Sequence, residues 1–137
     1  MKKILLISFT IISFSSIFLI ASKNFNITDS QLNSIERKYG SSTKTRVEAW
    51  DYMIESSKNE SLLNKIKNVN DFFNQITYKT DAAHWKQKDY WATPFEFMGT
   101  GAGDCEDYAI AKYFSFIKLG IPDDMLRISY VIYKKAN

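Results

Sequence analysis

The sequence holds little of what several common architectures require. It has one cysteine and one histidine in 137 residues, so a disulfide framework and a thiolate zinc cluster are both excluded. Five glycines and two prolines are too few for a fibrous or low-complexity chain. A hydrophobic content of 45% is too high for a disordered one. No internal repeat is present, and Lys and Arg are dispersed rather than gathered in a stripe, so binding to nucleic acid has no electrostatic footprint. The length suits one ordinary domain.

The N-terminus reduces that length. Lys2 and Lys3 precede a run at residues 4–21 that carries no charge, the pattern of an export leader. Cleavage after Ala21 would place Leu19 at the −3 position, where a small residue is wanted. A run of this length also suits a retained inner-membrane anchor. The expected organisation is therefore a signal peptide or signal anchor over residues 1–22 and one domain over residues 23–137, in the periplasm, either free or tethered. Only two of the eighteen basic residues fall in the leader, which leaves sixteen against fifteen acidic ones. In an oxidising compartment Cys105 has no partner within the chain. It is buried, paired with another chain, or reactive.

Thr28 with Gln31 forms a capping box, flanked by Ile27 and Leu32 as a staple, and predicts a helix that Gly40 stops. Thr45 with Glu48 repeats the signature and predicts a second helix to about Ser56, with Val47, Trp50 and Ile54 inward. Leu62, Ile66, Val69, Phe73 and Ile76 form the stripe of a third helix, over residues 61–76. Residues 78–98 lack a period and are dense in rings, which predicts an ordered loop with Pro94 breaking any helix. Residues 99–103 hold three glycines and read as a flexible turn. Asp104 then caps a fourth helix to Leu119, and residues 126–133 alternate like a strand. A lone strand leaves its backbone groups unpaired, so it needs neighbours from elsewhere.

The glycine cluster is not a phosphate loop, because no Gly-Lys-Ser/Thr follows it. It is not a dinucleotide fingerprint either, because the last glycine of that motif would fall on Asp104. The chemical signal lies in Gly103-Asp104-Cys105-Glu106-Asp107. A cysteine in the first turn of a helix meets the positive end of the dipole and free backbone donors, which favour a thiolate nucleophile and can serve an oxyanion. Three carboxylates around the sulfur oppose the thiolate. A bound divalent cation would remove that conflict, and three hard oxygen ligands suit Ca²⁺ better than zinc. The other reading, also open, is that the acids complement the helix N-terminus and Cys105 is a small core residue.

Three stretches then carry a resemblance. They are Asp89-Tyr90-Trp91-Ala92-Thr93-Pro94-Phe95-Glu96-Phe97, the Gly101-Ala102-Gly103-Asp104-Cys105-Glu106-Asp107-Tyr108 core, and Leu119-Gly120-Ile121-Pro122 with residues 126–131. Together with Val69-Asn70-Asp71-Phe72-Phe73-Asn74, they resemble the bacterial transglutaminase-like cysteine peptidases of the LapG type. The resemblance implies an α+β papain/transglutaminase-like fold, of which this chain holds the N-terminal helical part and the first strand of the catalytic sheet. It implies Cys105 as nucleophile of a Cys–His–Asp triad, and Ca²⁺ at Asp104 and Glu106, with Asp107 beside them. It also implies a large surface adhesin as substrate, release of which disperses biofilms, and an inner-membrane cyclic-di-GMP receptor as partner.

One departure limits the expectation. In the family the triad His and Asp follow the Cys helix on later strands, whereas the single histidine here, His84, precedes Cys105 by 21 residues and is read as a surface or packing residue. The sequence therefore predicts a C-terminally truncated peptidase domain with little activity. A catalytically silent binding or decoy module, a remnant of a split gene, and a peptidase completed by a second polypeptide are the alternatives.

Overall fold

The computed structural model describes residues 27–131; the leader expected over residues 1–22 lies outside them. Six helices and a two-stranded ladder follow in the order α1 (Asp29–Tyr39), α2 (Ser42–Ser57), α3 (Leu62–Phe73), β1 (Thr77–Tyr78), α4 (Asp81–His84), α5 (Pro94–Thr100), β2 (Ala102–Gly103) and α6 (Cys105–Lys118). A 3-10 turn at Asp123–Met125 closes the series. Among the described residues no helix is long and apolar enough to cross a membrane.

The core is a file of rings and aliphatics between α2, α3, α5 and α6. Trp50, Ile54, Val69, Phe73, Phe97, Met98 and Ala111 are essentially inaccessible to solvent. Phe73 meets Trp50 edge-on and stacks on Phe97, whose ring meets Tyr108 in turn. The one polar atom on the Trp50 ring is satisfied: Nε1 donates to Ser115 Oγ at 2.8 Å, and that hydroxyl donates to Ala111 O at 2.8 Å. Burying Trp50 therefore orphans no donor.

α1 forms as expected. Gln31 N donates to Thr28 Oγ1, Thr28 N donates to Gln31 Oε1, and Gly40 leaves the helix at φ +97°. α2 differs from expectation at its start. It begins at Ser42, one turn before the Thr45–Glu48 pair, which lies inside the helix and caps nothing. The inward stripe begins at Thr43, a polar residue that periodicity does not mark. Its hydroxyl donates to Gly99 O at 3.0 Å. α3 ends at Phe73 rather than Ile76, because the chain tightens through Gln75 N to Phe72 O and Ile76 N to Phe73 O and then enters β1.

The aromatic segment is not one loop. Pro94 begins α5 instead of breaking it, since an N1 residue has no helical acceptor for an N–H to reach. Thr93 and Glu96 make the capping box, Glu96 N to Thr93 Oγ1 at 3.3 Å and Thr93 N to Glu96 Oε2 at 3.0 Å. Nor are residues 99–103 a flexible turn. Gly101 ends α5 in the left-handed region at φ +66°, and β2 then pairs in parallel with β1, Thr77 opposite Ala102 and Tyr78 opposite Gly103. A Cβ on Gly99 would fall 2.6 Å from the Tyr39 ring, so α1 packs on bare backbone there. The strand expected over residues 126–133 has no ladder partner through Val131, and Tyr130 and Val131 are exposed; residues 132–133 lie outside the described residues.

Glu96 gathers more than its cap. Tyr90 Oη donates to Oε1 at 3.0 Å, Tyr39 Oη at 3.4 Å, and Lys38 Nζ stands 3.9 Å away. Burial pushes its pKa up, but the Thr93 N–H and hydroxyl, the Tyr90 hydroxyl and Lys38 together hold it below the ordinary glutamate value. A depressed carboxylate stabilises the fold above its unfolded pKa, and that stabilisation fades as pH falls through the folded value. Glu96→Ala is therefore expected to cost about 1 kcal/mol at neutral pH by loss of the cap. In urea titrations the gap to wild type should narrow below the ordinary glutamate pKa; a gap that does not change with pH would count against the ionic part of this account.

Candidate active site

The site is built on the first turn of α6. Asp104 is the N-cap, in extended conformation, and Cys105 is the first helical residue, exposed to solvent. What pins this turn is Asp107, whose carboxylate is wholly buried. Its Oδ2 accepts from Asp104 N at 3.3 Å and its Oδ1 from Ala92 N at 2.8 Å. One side chain thus closes the helix start and fastens to it the segment that leads into α5. Burial pushes the Asp107 pKa up, against the pull of those two N–H donors. Gly103 lets the turn approach: a Cβ there would lie 2.4 Å from Asp107 Oδ2 and 2.7 Å from the Phe97 ring.

The β1–β2 register brings Tyr78 alongside Gly103, two residues before the thiol. The Tyr78 phenol is pushed above its ordinary pKa, first by the Cys105 sulfur and then by burial and the Asp104 and Glu106 carboxylates. Tyr78 is itself more than half exposed, so an exposed ring and an exposed thiol share this part of the surface. From the other side, Tyr108 Oη donates to Ile76 O, tying α6 to the turn between α3 and β1.

Asp81, the first residue of α4, enters the site although the sequence reading did not single it out. It is 4% exposed and Asp104 is 9% exposed. Oxygens of Asp81, Asp104 and Asp107 lie within 4.8 Å of one another, and Asp81, Asp89 and Glu106 form a second such group. The expected acids are therefore brought to one place, but around Asp81. Asp104 and Asp107 fall in one group and Glu106 in the other. Asp81 Oδ2 accepts from Tyr90 N, whereas Asp81 Oδ1 and Asp104 Oδ1 are buried with no hydrogen-bond partner. Burial, then the Asp81 charge, pushes the Asp104 pKa up, and burial also raises that of Glu106. Nothing in the local pattern of residues 78–98 marks Asp81. The only signal was an isolated acid in an aromatic-rich stretch.

His84 ends α4 with its ring edge-on to Trp85 at 4.7 Å and its Nε2 buried without a partner. Burial, and then Lys79, lowers its pKa. Among the described residues no imidazole is hydrogen-bonded to the Cys105 sulfur. The site is thus an exposed thiol at a helix head, amides of that turn beside it, and a carboxylate cluster behind it.

The chain belongs to the bacterial transglutaminase-like cysteine proteinases, whose family model matches residues 30–137. Among solved structures it is similar to LapG of Legionella pneumophila in its calcium-bound form, with 39% identity, a TM-score of 0.58, and coverage of 72% of this chain and 54% of that one. The EGTA-treated form of the same protein matches equally, with 53% of its length covered. The chain thus spans about half the length of the solved structures it matches. Among curated proteins none matches it.

Asp107→Ala leaves the Ala92 and Asp104 N–H groups buried without acceptors, at about 1–3 kcal/mol for each orphaned group. Asp107→Asn keeps one acceptor oxygen and is expected to recover part of the loss in urea denaturation. Equal losses for the two variants would show that the hydrogen bonds are not what Asp107 contributes.

Proposed function

We propose that this chain carries the nucleophile portion of a calcium-dependent cysteine peptidase of the LapG type. The observation that carries the reading is an exposed Cys105 on a helix start locked by Asp107, inside a family match that spans the domain. In such chemistry the sulfur attacks the scissile carbonyl carbon. Its proton passes through a base to the leaving amine as the C–N bond breaks, and water then releases the acyl group. Amides at the start of α6 are placed to receive the developing oxyanion. The chain's single histidine precedes the cysteine and packs on Trp85, so a proton-transfer partner at Cys105 has to come from outside the described residues. Residues 27–131 by themselves hold no Cys–His–Asp triad, and without one turnover is expected to be slower by orders of magnitude.

The carboxylate cluster fits Ca²⁺ on its own chemistry. It offers hard oxygens from several side chains, two of them buried and unpartnered, and an ion that takes six to eight oxygens suits that donor set. Asp81, Asp104 and Glu106 would hold it, with Asp89 at the rim and Asp107 largely committed to its two N–H donors. The ion would supply positive charge to offset the carboxylates beside the thiol. A calcium-bound form of the solved relative supports calcium as the ion. By the same resemblance, the substrate is a large surface adhesin whose release disperses biofilms. The compartment is the periplasm, and an inner-membrane cyclic-di-GMP receptor is the partner.

Two measurements on the full chain test the reading. A peptidyl vinyl sulfone should label Cys105 and leave Cys105→Ala unmodified; an unreactive thiol would remove the nucleophile assignment. An adhesin fragment should survive incubation with the chain. Cleavage abolished by Cys105→Ala would overturn the expectation of low activity while keeping the chemistry.

A further inference from the structure

We infer that the Tyr78 hydroxyl is an oxyanion donor in acyl transfer at Cys105, standing on the β1 side of the thiol and working with the backbone amide of Cys105. This rests on the peptidase reading and adds a catalytic residue to it.

Three ties fix the Tyr78 backbone relative to the sulfur. Thr77 N donates to Gly101 O at 3.4 Å and Lys79 N to Gly103 O at 2.9 Å, one on each side of Tyr78. Tyr108 Oη, on α6, holds Ile76 O just upstream. The strand to which Tyr78 is pinned leads directly into the N-cap and Cys105. The side chain is not there to fill the core, since Tyr78 is 57% exposed. Its phenol nevertheless interacts with the Cys105 sulfur, and more strongly than with the Asp104 and Glu106 carboxylates.

The α6 turn is short of donors by itself. Of its first three amides, Asp107 N is engaged by the Asp104 cap and Glu106 N by the Glu106 carboxylate. That leaves the Cys105 amide as the one of the three that no carboxylate shares. In acyl transfer the sulfur lone pair forms the C–S bond and the carbonyl π pair moves onto oxygen. That pair returns as the bond to the leaving group breaks. The oxygen that carries the charge is one atom removed from the sulfur, so a donor beside the sulfur is beside it too. Asp104 and Glu106 offer only acceptors when ionised, whereas a phenol keeps its proton well above neutral pH. A tyrosine hydroxyl is among the side-chain donors suited to a developing oxyanion.

The test treats the full chain with two electrophiles at one pH. p-Nitrophenyl acetate acylates the thiolate through an oxyanion and expels p-nitrophenolate, so the step is read as an absorbance burst and needs no proton donor. Iodoacetamide alkylates the same thiolate by displacing iodide, with no oxyanion. Cys105→Ala sets the background from other groups. Tyr78→Phe should slow the burst about tenfold, less than the loss of a donor in a dry site, and leave alkylation at the wild-type rate. Tyr52→Phe, which removes an exposed phenol on α2, should match wild type with both. If Tyr78→Phe loses helicity by circular dichroism, Tyr78→Gln and Tyr78→Leu give the second arm. The two are similar in size, and the amide donor should keep the higher ratio of acylation to alkylation. The inference is overturned if Tyr78→Phe keeps the wild-type ratio, if both reactions slow together, or if in the second arm Tyr78→Gln is no better than Tyr78→Leu. A thiol inert to both electrophiles would instead remove the nucleophile assignment, and this inference with it.

Discussion

The site depends on one buried carboxylate. Asp107 accepts from Ala92 N and Asp104 N with its two oxygens, and those donors lie twelve positions apart in the chain. A neutral side chain of similar size could accept at only one of them. A longer one would not fit beneath Gly103, where even a methyl group has no room. The position of Cys105, two residues away, follows from this closure. Burying a carboxylate is costly unless its oxygens are satisfied, and here both are.

A second set of contacts fixes the approach to that turn. The last carbonyls of α5 have no intrahelical donors. Thr43 and Arg46, both on α2, donate to Met98 O and Gly99 O, and burial lowers the Arg46 pKa. A polar face on α2 therefore terminates α5 from the side, after which Gly101 turns the chain into β2. The apolar stack of Trp50, Phe73 and Phe97 holds α2, α3 and α5 in register, and the polar contacts then aim the β2–α6 junction. Packing sets the coarse arrangement and hydrogen bonds to backbone set the fine one.

Much of this was legible from residues alone, for local reasons. Capping boxes at Thr28 and the helix signal at Asp104 depend on side chains three positions apart, and both stand. The stripe of α2 was legible from Val47 onward but not at Thr43, because its role is to satisfy a carbonyl 56 positions away. Pro94 was misread because the same residue that ends a helix from inside opens one at N1. Thr93 and Glu96 around it carried the signal. The two-residue ladder could not be read, since neither Thr77–Tyr78 nor Ala102–Gly103 is long enough to show a period. Among the site residues, Asp104, Cys105, Glu106 and Asp107 were conspicuous as a contiguous run. Asp81 and Asp89 join them only through the fold.

The short ladder has a kinetic consequence. Its partners lie twenty-five positions apart, and it forms only after the intervening chain, with α4 and α5, has been brought back across α6. Closing a loop of that size sacrifices chain entropy before any contact compensates for it. The helices can form and pack early from local contacts, whereas Tyr78 and Asp81 come to the thiol only across that closure. A refolding chain would thus pass through a stage with native-like helicity and a bare sulfur, and the surroundings of Cys105 would be among the last features to mature.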